Sequence, residues 1–525
     1  MKKKSIYKKE LDIIKKSIEI KEASTKNILN SPTTIKILNI LEEFISKNKF
    51  ICYGGMAINN ILPENKKFYD KNKELPDYDF FSKNAMEDSI KLTNLYFKLG
   101  FNNTECKSGL HEGTYKVYVN FLQVADITQL ETSLFNKIKK SAINVNEILY
   151  APPNFLRMSI YLELSRPDGD ISRWEKIYNR LQLLNKYHPL TIKCKPSNLM
   201  FKNSIKQVNK NYEIIKEILI KNGCLFFGGF ARNFYKKYDK RLKETYSFDV
   251  FVNDLSTIKY EIKNKILNAD VNLIKSKQKS IPDFLVVKVD DIIYAKIFKT
   301  KACYSYNILN IGKNKIKIAT IYTILSMYLI FIYSNSIYFD EYNLLCLSEY
   351  LLNIYKQNRL KNKGLLRNYS INCYGTQDTF EKIIIKRNEK FEQLKNNKNS
   401  KEYKKWFLRY NPLDEKKKRQ KTIKNKKTSN DKIIKGGNKN KLYYFYFEQC
   451  PYCVEFDKIW KKDIINNSEI KKKVETEKIN KKHPLTQQLN VESFPCLYLK
   501  IDDDYYKFNE KRNLKNILEF INDNI

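Results

Sequence analysis

Short apolar runs and alternating apolar and polar positions predict strands mixed with helices along most of the chain. The run ICYGGMAINNIL (51–62) combines an apolar strand, a glycine turn and a helix that starts near Met56. Further on, Val117 and Val119 alternate with polar neighbours in a strand-like run that ends at Asp126. This mixture of patterns predicts an α/β fold.

Two helices are predicted after this strand. Residues 154–165 carry Phe155, Met158 and Leu162 at helical spacing. The next helix has an apolar stripe beside a basic stripe, which consists of Arg173, Lys176 and Arg180. A basic stripe is typical both of a solvated surface and of a phosphate contact, so both interpretations of this helix stay open.

A pair of acidic residues follows the glycine turn. Asp77 and Asp79 in ELPDYDFFS (74–82) are two positions apart, so strand geometry places both on one face. Two adjacent carboxylates repel each other unless a cation lies between them, and a divalent ion that bridges nucleotide phosphates is the usual solution. With Asp126 on a neighbouring strand, three carboxylates would surround two metal positions. Each motif by itself is weak, but their order predicts nucleotidyl transfer.

The Gly54-Gly55 turn predicts where a triphosphate would lie. A backbone without side chains permits close approach, and the following helix directs its first N–H groups at the anion. We place Asn59 of that helix with the nucleotide-binding residues, together with three basic residues of the later helices: Arg157, Arg173 and Lys176.

The same pattern occurs a second time. CLFFGGFARNF (224–234) repeats FICYGGMAINN (50–60), and YSFDVFV (246–252) repeats PDYDFFS. A repeat of this length predicts a duplicated structural unit.

The register of the repeat predicts that the second copy is inactive. Asp126 follows Asp79 by 47 positions, and Lys296 follows Asp249 by the same number. Ser247 stands where the first copy has its first acid. One carboxylate beside a fixed ammonium group cannot hold two divalent cations.

Length and charge bound the remaining possibilities. At 525 residues the chain is too long for one core, so several domains are expected. The formal net charge of +39 favours a polyanionic partner such as RNA. The chain is also crowded with Lys, Asn, Ile and Tyr, so part of this charge reflects biased composition.

We expect an intracellular protein that does not insert into a membrane. The apolar run IATIYTILSMYLIFIY (318–333) is short for a bilayer span and is interrupted by Thr, Ser and Tyr, so we interpret it as a buried helix. The N-terminal segment is basic but lacks the apolar core of a secretory signal.

A basic tract that lacks core residues separates the C-terminal segment from the rest of the chain. Residues 414–440 contain too few apolar side chains to offset the entropy of ordering, so we predict a flexible linker. The same charges would suit RNA binding or nuclear import, and the sequence does not separate these uses.

Beyond the linker, an aromatic strand leads into Cys450-Pro451-Tyr452-Cys453 at the start of a predicted helix. A thiol at a helix N-terminus is favoured as thiolate, which suits redox chemistry. Pro495 lies just before a later predicted strand. Ten cysteines in an intracellular protein argue against a disulfide framework, so we expect a dithiol site at Cys450 and Cys453 only.

These motifs carry two resemblances. Gly-Gly followed by PDYDFF and VADIT resembles the polymerase-beta-type nucleotidyltransferases, and within them the viral poly(A) polymerase catalytic subunits of poxviruses, asfarviruses and giant viruses. Residues 150–181 also resemble that viral family, and the similarity extends over about residues 1–410. Residues 441–525 resemble a thioredoxin or glutaredoxin, with CPYC more like the latter.

The resemblances imply an α/β protein with an active nucleotidyltransferase domain, a degenerate copy and a small thioredoxin-like domain. The predicted ranges are a helical region at 1–48, the catalytic domain at 49–190, the degenerate domain with a helical extension at 191–410, the linker at 411–440 and the thioredoxin-like domain at 441–525.

The function implied is that of a poly(A) polymerase, which adds AMP from ATP to mRNA 3′ ends with Mg²⁺ or Mn²⁺. In this hypothesis Asp77 and Asp79 hold both metals, and Asp126 helps to deprotonate the RNA 3′ hydroxyl. RNA and ATP are the expected partners. A homodimer or a separate processivity subunit stays open, as do the host cytoplasm, a viral factory or the virion as location.

Three alternatives remain at this point. Another terminal transferase, of the uridylyl- or CCA-adding kind, would use the same motifs, because nothing in them selects the base. A non-catalytic RNA-binding scaffold would need neither copy to be active. A protein that is chiefly an oxidoreductase would use only the C-terminal dithiol.

Overall fold

A computed structural model of the chain describes residues 2–29, 31–69, 76–194, 205, 207–276, 281–334, 336–414, 440–489, 491–501 and 504–525. The chain divides into two compact units, Met1–Arg419 and Gln420–Ile525. Residues 415–439 of the predicted linker lie outside the described residues.

Two helices open the first unit, α1 (Lys2–Leu29) and α2 (Pro32–Asn48). Ser31 caps α2 by accepting a hydrogen bond from the Thr34 N–H at 3.2 Å. The apolar residues of α2 recur every four positions and are buried, as Ile37, Leu41 and Ile45 show. This face anchors the helix on the first sheet.

The first sheet takes seven strands from one continuous segment and one from much later in the chain. They are β1 (Ile51–Cys52), β2 (Tyr78–Ser82), β3 (Thr104–Ser108), β4 (Thr114–Val119), β5 (Leu122–Gln129), β6 (Ile143–Val145), β7 (Ile148–Tyr150) and β16 (Arg409–Tyr410). Their order is β16-β3-β4-β5-β2-β1-β7-β6. The associated helices are α3 (Gly54–Ile61), α4 (Ala85–Lys98), α5 (Thr132–Lys140), α6 (Pro153–Leu164) and α7 (Trp174–Tyr187).

The run that we predicted as one strand ending at Asp126 is in fact a hairpin of β4 and β5. Asn120 and Phe121 both have positive φ, 49° and 67°, and form the turn between the strands. Such a two-residue turn matches the twist of paired strands. Asp126 therefore lies within β5 and not at the end of a strand.

The second sheet repeats the first. Its strands are β8 (Leu225–Phe226), β9 (Phe248–Val252), β10 (Asp270–Ile274), β11 (Phe284–Val289), β12 (Ile292–Lys299), β13 (Tyr304–Ile311), β14 (Asn314–Ala319) and β15 (Cys373–Tyr374). The order is β10-β11-β12-β9-β8-β14-β13-β15. Asp290 and Asp291 take positive φ between β11 and β12, as Asn120 and Phe121 do between β4 and β5. The predicted tandem fold is therefore confirmed.

The helices of this half are α8 (Lys210–Lys221), α9 (Gly229–Asn233), α10 (Leu255–Lys265), α11 (Ile321–Ile332) and α12 (Glu341–Asn358). The apolar run at 318–333 contains α11, whose residues are all buried and which packs against α6 and α12. Over the described residues, no helix has both the length and the apolar character needed to cross a bilayer.

The end of the first unit returns to the first sheet. After β15 come α13 (Phe380–Leu394) and α14 (Lys401–Phe407), and then β16 pairs with β3. Arg387 of α13 donates to the Gly109 carbonyl oxygen at 2.6 Å. The predicted range 191–410 therefore includes a strap that belongs to the catalytic half, which distance along the chain concealed.

Two disulfides correct the expectation that no such framework exists. Cys194 is bonded to Cys346 and Cys303 to Cys373. The partners are 152 and 70 positions apart, so only the fold brings them together.

The second unit has a four-stranded sheet in the order β18-β17-β19-β20, formed by β17 (Lys441–Tyr446), β18 (Glu475–Asn480), β19 (Cys496–Ile501) and β20 (Asp504–Lys507). Strand β17 pairs parallel with β18 and antiparallel with β19. Helices α15 (Pro451–Ile459), α16 (Ser468–Lys473), α17 (Pro484–Gln488) and α18 (Leu514–Asn524) complete the unit, with a π-helical turn at Trp460–Ile464. This is the predicted thioredoxin-like arrangement.

Truncation of Phe80 should destabilise the first sheet. Phe80 of β2 is 0% exposed and stacks on Phe50 with ring centroids 5.2 Å apart. We expect Phe80→Ala to lower the free energy of unfolding by about 3–5 kcal/mol, measured by urea denaturation. Phe121→Ala is the matched control because Phe121 is 85% exposed, and equal losses in both variants would contradict this packing.

Candidate active site

The pairing of β2 with β5 brings two of the predicted acids side by side. The strands are parallel, and Asp79 lies opposite Asp126 in register. Asp77 is exposed just before β2, and its carbonyl oxygen accepts from the Asp79 N–H at 3.2 Å. Asp79 and Asp126 thus lie side by side on the two central strands of the sheet, and Asp77 lies just before the first of them.

The close spacing of these three acids affects the pKa values of their carboxyl groups. Burial, together with the charges of Asp77 and Asp126, raises the pKa of Asp79 to about 7. Burial also raises the pKa of Asp126, whereas the Lys116 ammonium group, 2.7 Å from Oδ2, lowers it. A divalent cation would relieve this repulsion.

The Gly54-Gly55 turn adjoins Asp79. Gly54 has φ +72°, and a Cβ there would lie 2.8 Å from Asp79 Oδ2. Tyr53, at the N-cap of α3, makes no capping hydrogen bond with its side chain, and its hydroxyl pairs with Thr128 Oγ1 at 2.9 Å. The first turn of α3 therefore presents backbone N–H groups next to the acids.

Sequence reasoning missed one part of this turn. A Cβ on Gly55 would lie 2.6 Å from both Arg180 Nη1 and Tyr69 Oη. Arg180 donates to the Tyr69 hydroxyl at 2.9 Å and lies over the Phe68 ring, 5.1 Å from its centroid. Arg180 belongs to the predicted basic stripe, which was a usable signal. Tyr69 gave no signal, because nothing in the sequence places it near Gly55.

Asn59 supports this arrangement from inside. It is 4% exposed, and its Oδ1 accepts from the N–H groups of Phe68 and Tyr69 at 2.8 and 2.9 Å. Asn59 therefore positions the loop that holds Tyr69, and any contact with a nucleotide stays a prediction.

The structure corrects the assignment of Arg157. Its side chain is 0% exposed and donates to Asn185 Oδ1 at 2.7 Å, to Asn154 Oδ1 and to the His188 carbonyl oxygen. A guanidinium group satisfied inside the protein does not reach a nucleotide in the cleft. Arg157 instead ties α6 to the end of α7.

Arg173 and Lys176 lie at the start of α7. Arg173 Nε is 3.3 Å from Glu163 Oε1, and the Arg173 charge is close enough to lower the pKa of Asp79. Lys176 is exposed on the same face of the helix. Their phosphate contacts stay a prediction.

The second copy fills the corresponding place with an ion pair. Asp249 lies opposite Lys296 in register, and the carboxylate and ammonium groups are 3.0 Å apart. A Cβ on Gly228 would lie 1.9 Å from Asp249 Oδ2, so the carboxylate presses on the glycine turn. Ser247 is buried beside it. This geometry matches the predicted replacement of the acids in the second copy.

The donor set of the first copy fits Mg²⁺ or Mn²⁺, since it consists of carboxylate oxygens beside open backbone N–H groups. The three acids are spread too widely to share a single small ion. Within the described part of the chain, only Asp168, Cys303 and Cys373 place three His, Cys, Asp or Glu ligand atoms within 4.8 Å of one another, and these two cysteines form a disulfide.

The second unit holds the dithiol site. Cys450 is the N-cap of α15, and its Sγ accepts from the Cys453 N–H at 3.3 Å and lies 3.4 Å from the Phe494 carbonyl oxygen. Cys450 is partly exposed, whereas Cys453 is buried, and burial raises the pKa of the Cys453 thiol to about 11. The peptide bond between Phe494 and Pro495 is cis.

Two copies of one sheet, with a Gly-Gly turn beside acids on paired parallel strands, define the class as a tandem nucleotidyltransferase fold. Within it, residues 39–170 match the family of the poly(A) polymerase catalytic subunit. The resemblance seen in the sequence motifs is therefore confirmed for this segment, which contains the three acids and the glycine turn.

Three known proteins extend this comparison. The inferred poly(A) polymerase catalytic subunit of African swine fever virus (strain Badajoz 1971 Vero-adapted) is 30% identical over 161 residues, which are 30% of this chain and 34% of that protein. The corresponding protein of Acanthamoeba polyphaga mimivirus is 31% identical over 192 residues, 35% of this chain and 32% of its own length. The chain thus matches about a third of the length of these curated relatives.

The fold extends further than the sequence similarity. The Megavirus polyadenylate synthase superposes with a TM-score of 0.64 at 16% identity, covering 82% of this chain and 90% of that one. At this identity the likeness concerns the fold alone.

Replacement of Gly54 should weaken divalent-cation binding. In Gly54→Ala the new Cβ meets Asp79 Oδ2, so the carboxylate has to move. We expect Mn²⁺ affinity, measured by electron paramagnetic resonance, to fall about 10- to 100-fold. Gly100→Ala is the control, because Gly100 also has positive φ, +94°, but no atom lies within 4 Å of its Cβ. Equal affinity in both variants would refute the contact.

Proposed function

We propose that this chain is a poly(A) polymerase catalytic subunit that transfers AMP from ATP to the 3′ end of mRNA and releases pyrophosphate. The observation that carries the proposal is the register of Asp79 and Asp126 beside the Gly54-Gly55 turn. The second copy has the same sheet and a glycine turn, but it pairs Asp249 with Lys296 where the first copy pairs Asp79 with Asp126, so two acids in register are not required by the fold itself.

In this proposal each part of the site has a separate task. The Gly54-Gly55 turn and the first N–H groups of α3 hold the triphosphate. Arg180, fixed by Tyr69 at the turn, and Arg173 with Lys176 on the same helix neutralise phosphate charge.

The three acids are proposed to hold two Mg²⁺ or Mn²⁺ ions. When bound, such ions activate the attacking hydroxyl and stabilise the pyrophosphate. Asp77 and Asp79 hold both positions, and Asp126 accepts the proton of the RNA 3′ hydroxyl. The position of Asp126 opposite Asp79 in register supports this division of roles.

Similarity to the viral proteins supports adenine as the base and mRNA as the acceptor. The surplus of basic residues, which gives a net charge of +39, favours RNA through phosphate contacts. A homodimer, a separate processivity subunit and a location in the host cytoplasm, a viral factory or the virion remain predictions.

Primer extension tests this function. Asp79→Asn and Asp126→Asn should each reduce extension of oligo(A) with ATP by about 1,000-fold or more, because each variant removes a metal ligand. Asp291→Asn is the control, since Asp291 is an exposed turn residue of the second copy.

Single nucleotides separate the alternatives in the same assay. Extension with UTP or CTP but not ATP would replace the poly(A) function by that of another terminal transferase. No extension by the unaltered protein with any nucleotide would favour a non-catalytic scaffold. Extension by Asp79→Asn as fast as by the unaltered protein would refute the role of these acids.

A second activity is proposed for the C-terminal unit, namely thiol–disulfide exchange. The partly exposed Cys450 at the start of α15, with the buried Cys453 one turn later, favours a nucleophilic and a resolving thiol. The Cys450 thiolate attacks one sulfur of a substrate disulfide, so that the substrate S–S bond breaks, a mixed disulfide forms and the other substrate sulfur leaves as the first thiol. Cys453 then attacks Cys450 Sγ and releases the reduced substrate thiol, leaving Cys450 and Cys453 oxidised.

Insulin reduction with dithiothreitol as electron donor tests the dithiol. We expect Cys450→Ser to abolish acceleration over dithiothreitol alone, because the nucleophile is lost. Cys224→Ser, which alters a buried cysteine of the first unit, should react like the unaltered chain. No acceleration by the unaltered chain would leave the unit without this activity.

A further inference from the structure

A lysine that the sequence analysis did not single out lies beside the three acids of the first copy. Lys116 lies on β4, directly opposite Asp126 on β5. Its ammonium group is 2.7 Å from Asp126 Oδ2. A lysine at hydrogen-bond distance from a predicted metal ligand competes with the metal for that oxygen.

Both oxygens of Asp126 are engaged. Lys116 holds Oδ2, and the Gln123 amide group donates to Oδ1 at 3.0 Å. Gln123 also offers Lys116 a second acceptor, since the ammonium group is 3.2 Å from Gln123 Oε1. Lys116 can therefore release Asp126 and keep a hydrogen bond.

The second copy shows the fixed form of the same charge pairing. There the cation is Lys296, within the strand that corresponds to β5, and Val286 occupies the position opposite it. The side chains of Lys296 and Asp249 are only 9% and 10% exposed, so this pair is enclosed. Lys116 is 30% exposed and can move into solvent.

We propose that Lys116 is a positioning residue that occupies Asp126 until a divalent cation replaces it, and that it thereby raises the divalent-cation concentration the site requires. On binding, the ammonium group leaves Asp126 Oδ2 and keeps its hydrogen bond to Gln123 Oε1. The proposal rests on the proposed metal site of Asp77, Asp79 and Asp126, and it concerns how readily that site fills.

Mn²⁺ binding to the full chain without nucleotide tests the exchange directly. At pH 8, electron paramagnetic resonance counts free Mn²⁺ during titration, and the binding that Asp126→Asn removes defines the site. Lys116→Met keeps the length of the side chain and removes its charge, so we expect Mn²⁺ to bind about threefold more tightly or better, as for the loss of one partly buried ion pair. The Mn²⁺ concentration for half-maximal primer extension should fall in parallel.

Two variants control the experiment. Lys116→Arg keeps the charge and should bind Mn²⁺ like the unaltered chain. Lys107→Met removes the charge of the lysine that faces Lys116 on β3, which pairs with Glu105 at 3.3 Å, and should change nothing.

The outcomes separate the two proposals. If Asp126→Asn and Asp79→Asn lose Mn²⁺ but Lys116→Met binds it equally or more weakly, the role of Lys116 is refuted and the metal site stands. If both Asn variants bind Mn²⁺ like the unaltered chain, the metal site itself is refuted.

Discussion

The structure of the first half depends on one constraint, the parallel pairing of β2 and β5 that sets Asp79 opposite Asp126. Like charges in register on adjacent strands oppose sheet formation unless a cation compensates them. The burial of Asp79 and the raised pKa of its carboxyl group are consequences of this placement. Positive charge near these acids comes from Lys116 on the next strand and from the basic residues at the start of α7.

The duplicated sheet shows two solutions to the same electrostatic problem. In the second copy a lysine replaces one acid, and the resulting ion pair of Asp249 and Lys296 is enclosed at 3.0 Å. That solution is permanent, and the glycine turn closes on the carboxylate. In the first copy the compensating lysine comes from the neighbouring strand and stays partly exposed. The two copies thus differ in how enclosed the charge pair is, and this difference is the basis of the proposal that only the first copy is active.

Helix packing joins the two copies within the first unit. The buried helix α11 packs against α6, which follows the first sheet, and the strap of α13, α14 and β16 returns to the first sheet. Arg157, buried between α6 and the end of α7, belongs to this framework. The sequence predicted a nucleotide contact for Arg157, but the residue is buried and stabilises the helix packing. Its position along the helix does not reveal which face is buried.

The sequence by itself determined the features that depend on local pattern and on repetition. The glycine turn, the acids at strand spacing, the register that equates Lys296 with Asp126, and the CPYC helix start all follow from short segments with fixed geometry. Only the tertiary structure decided which residues meet from distant segments. Four features depend on how strands and helices pack: the contacts of Tyr69 and Arg180 with Gly55, the ion pair of Lys116 with Asp126, the disulfide pairing and the pairing of β16 with β3. Contacts between residues far apart in the chain leave no periodic pattern in the sequence.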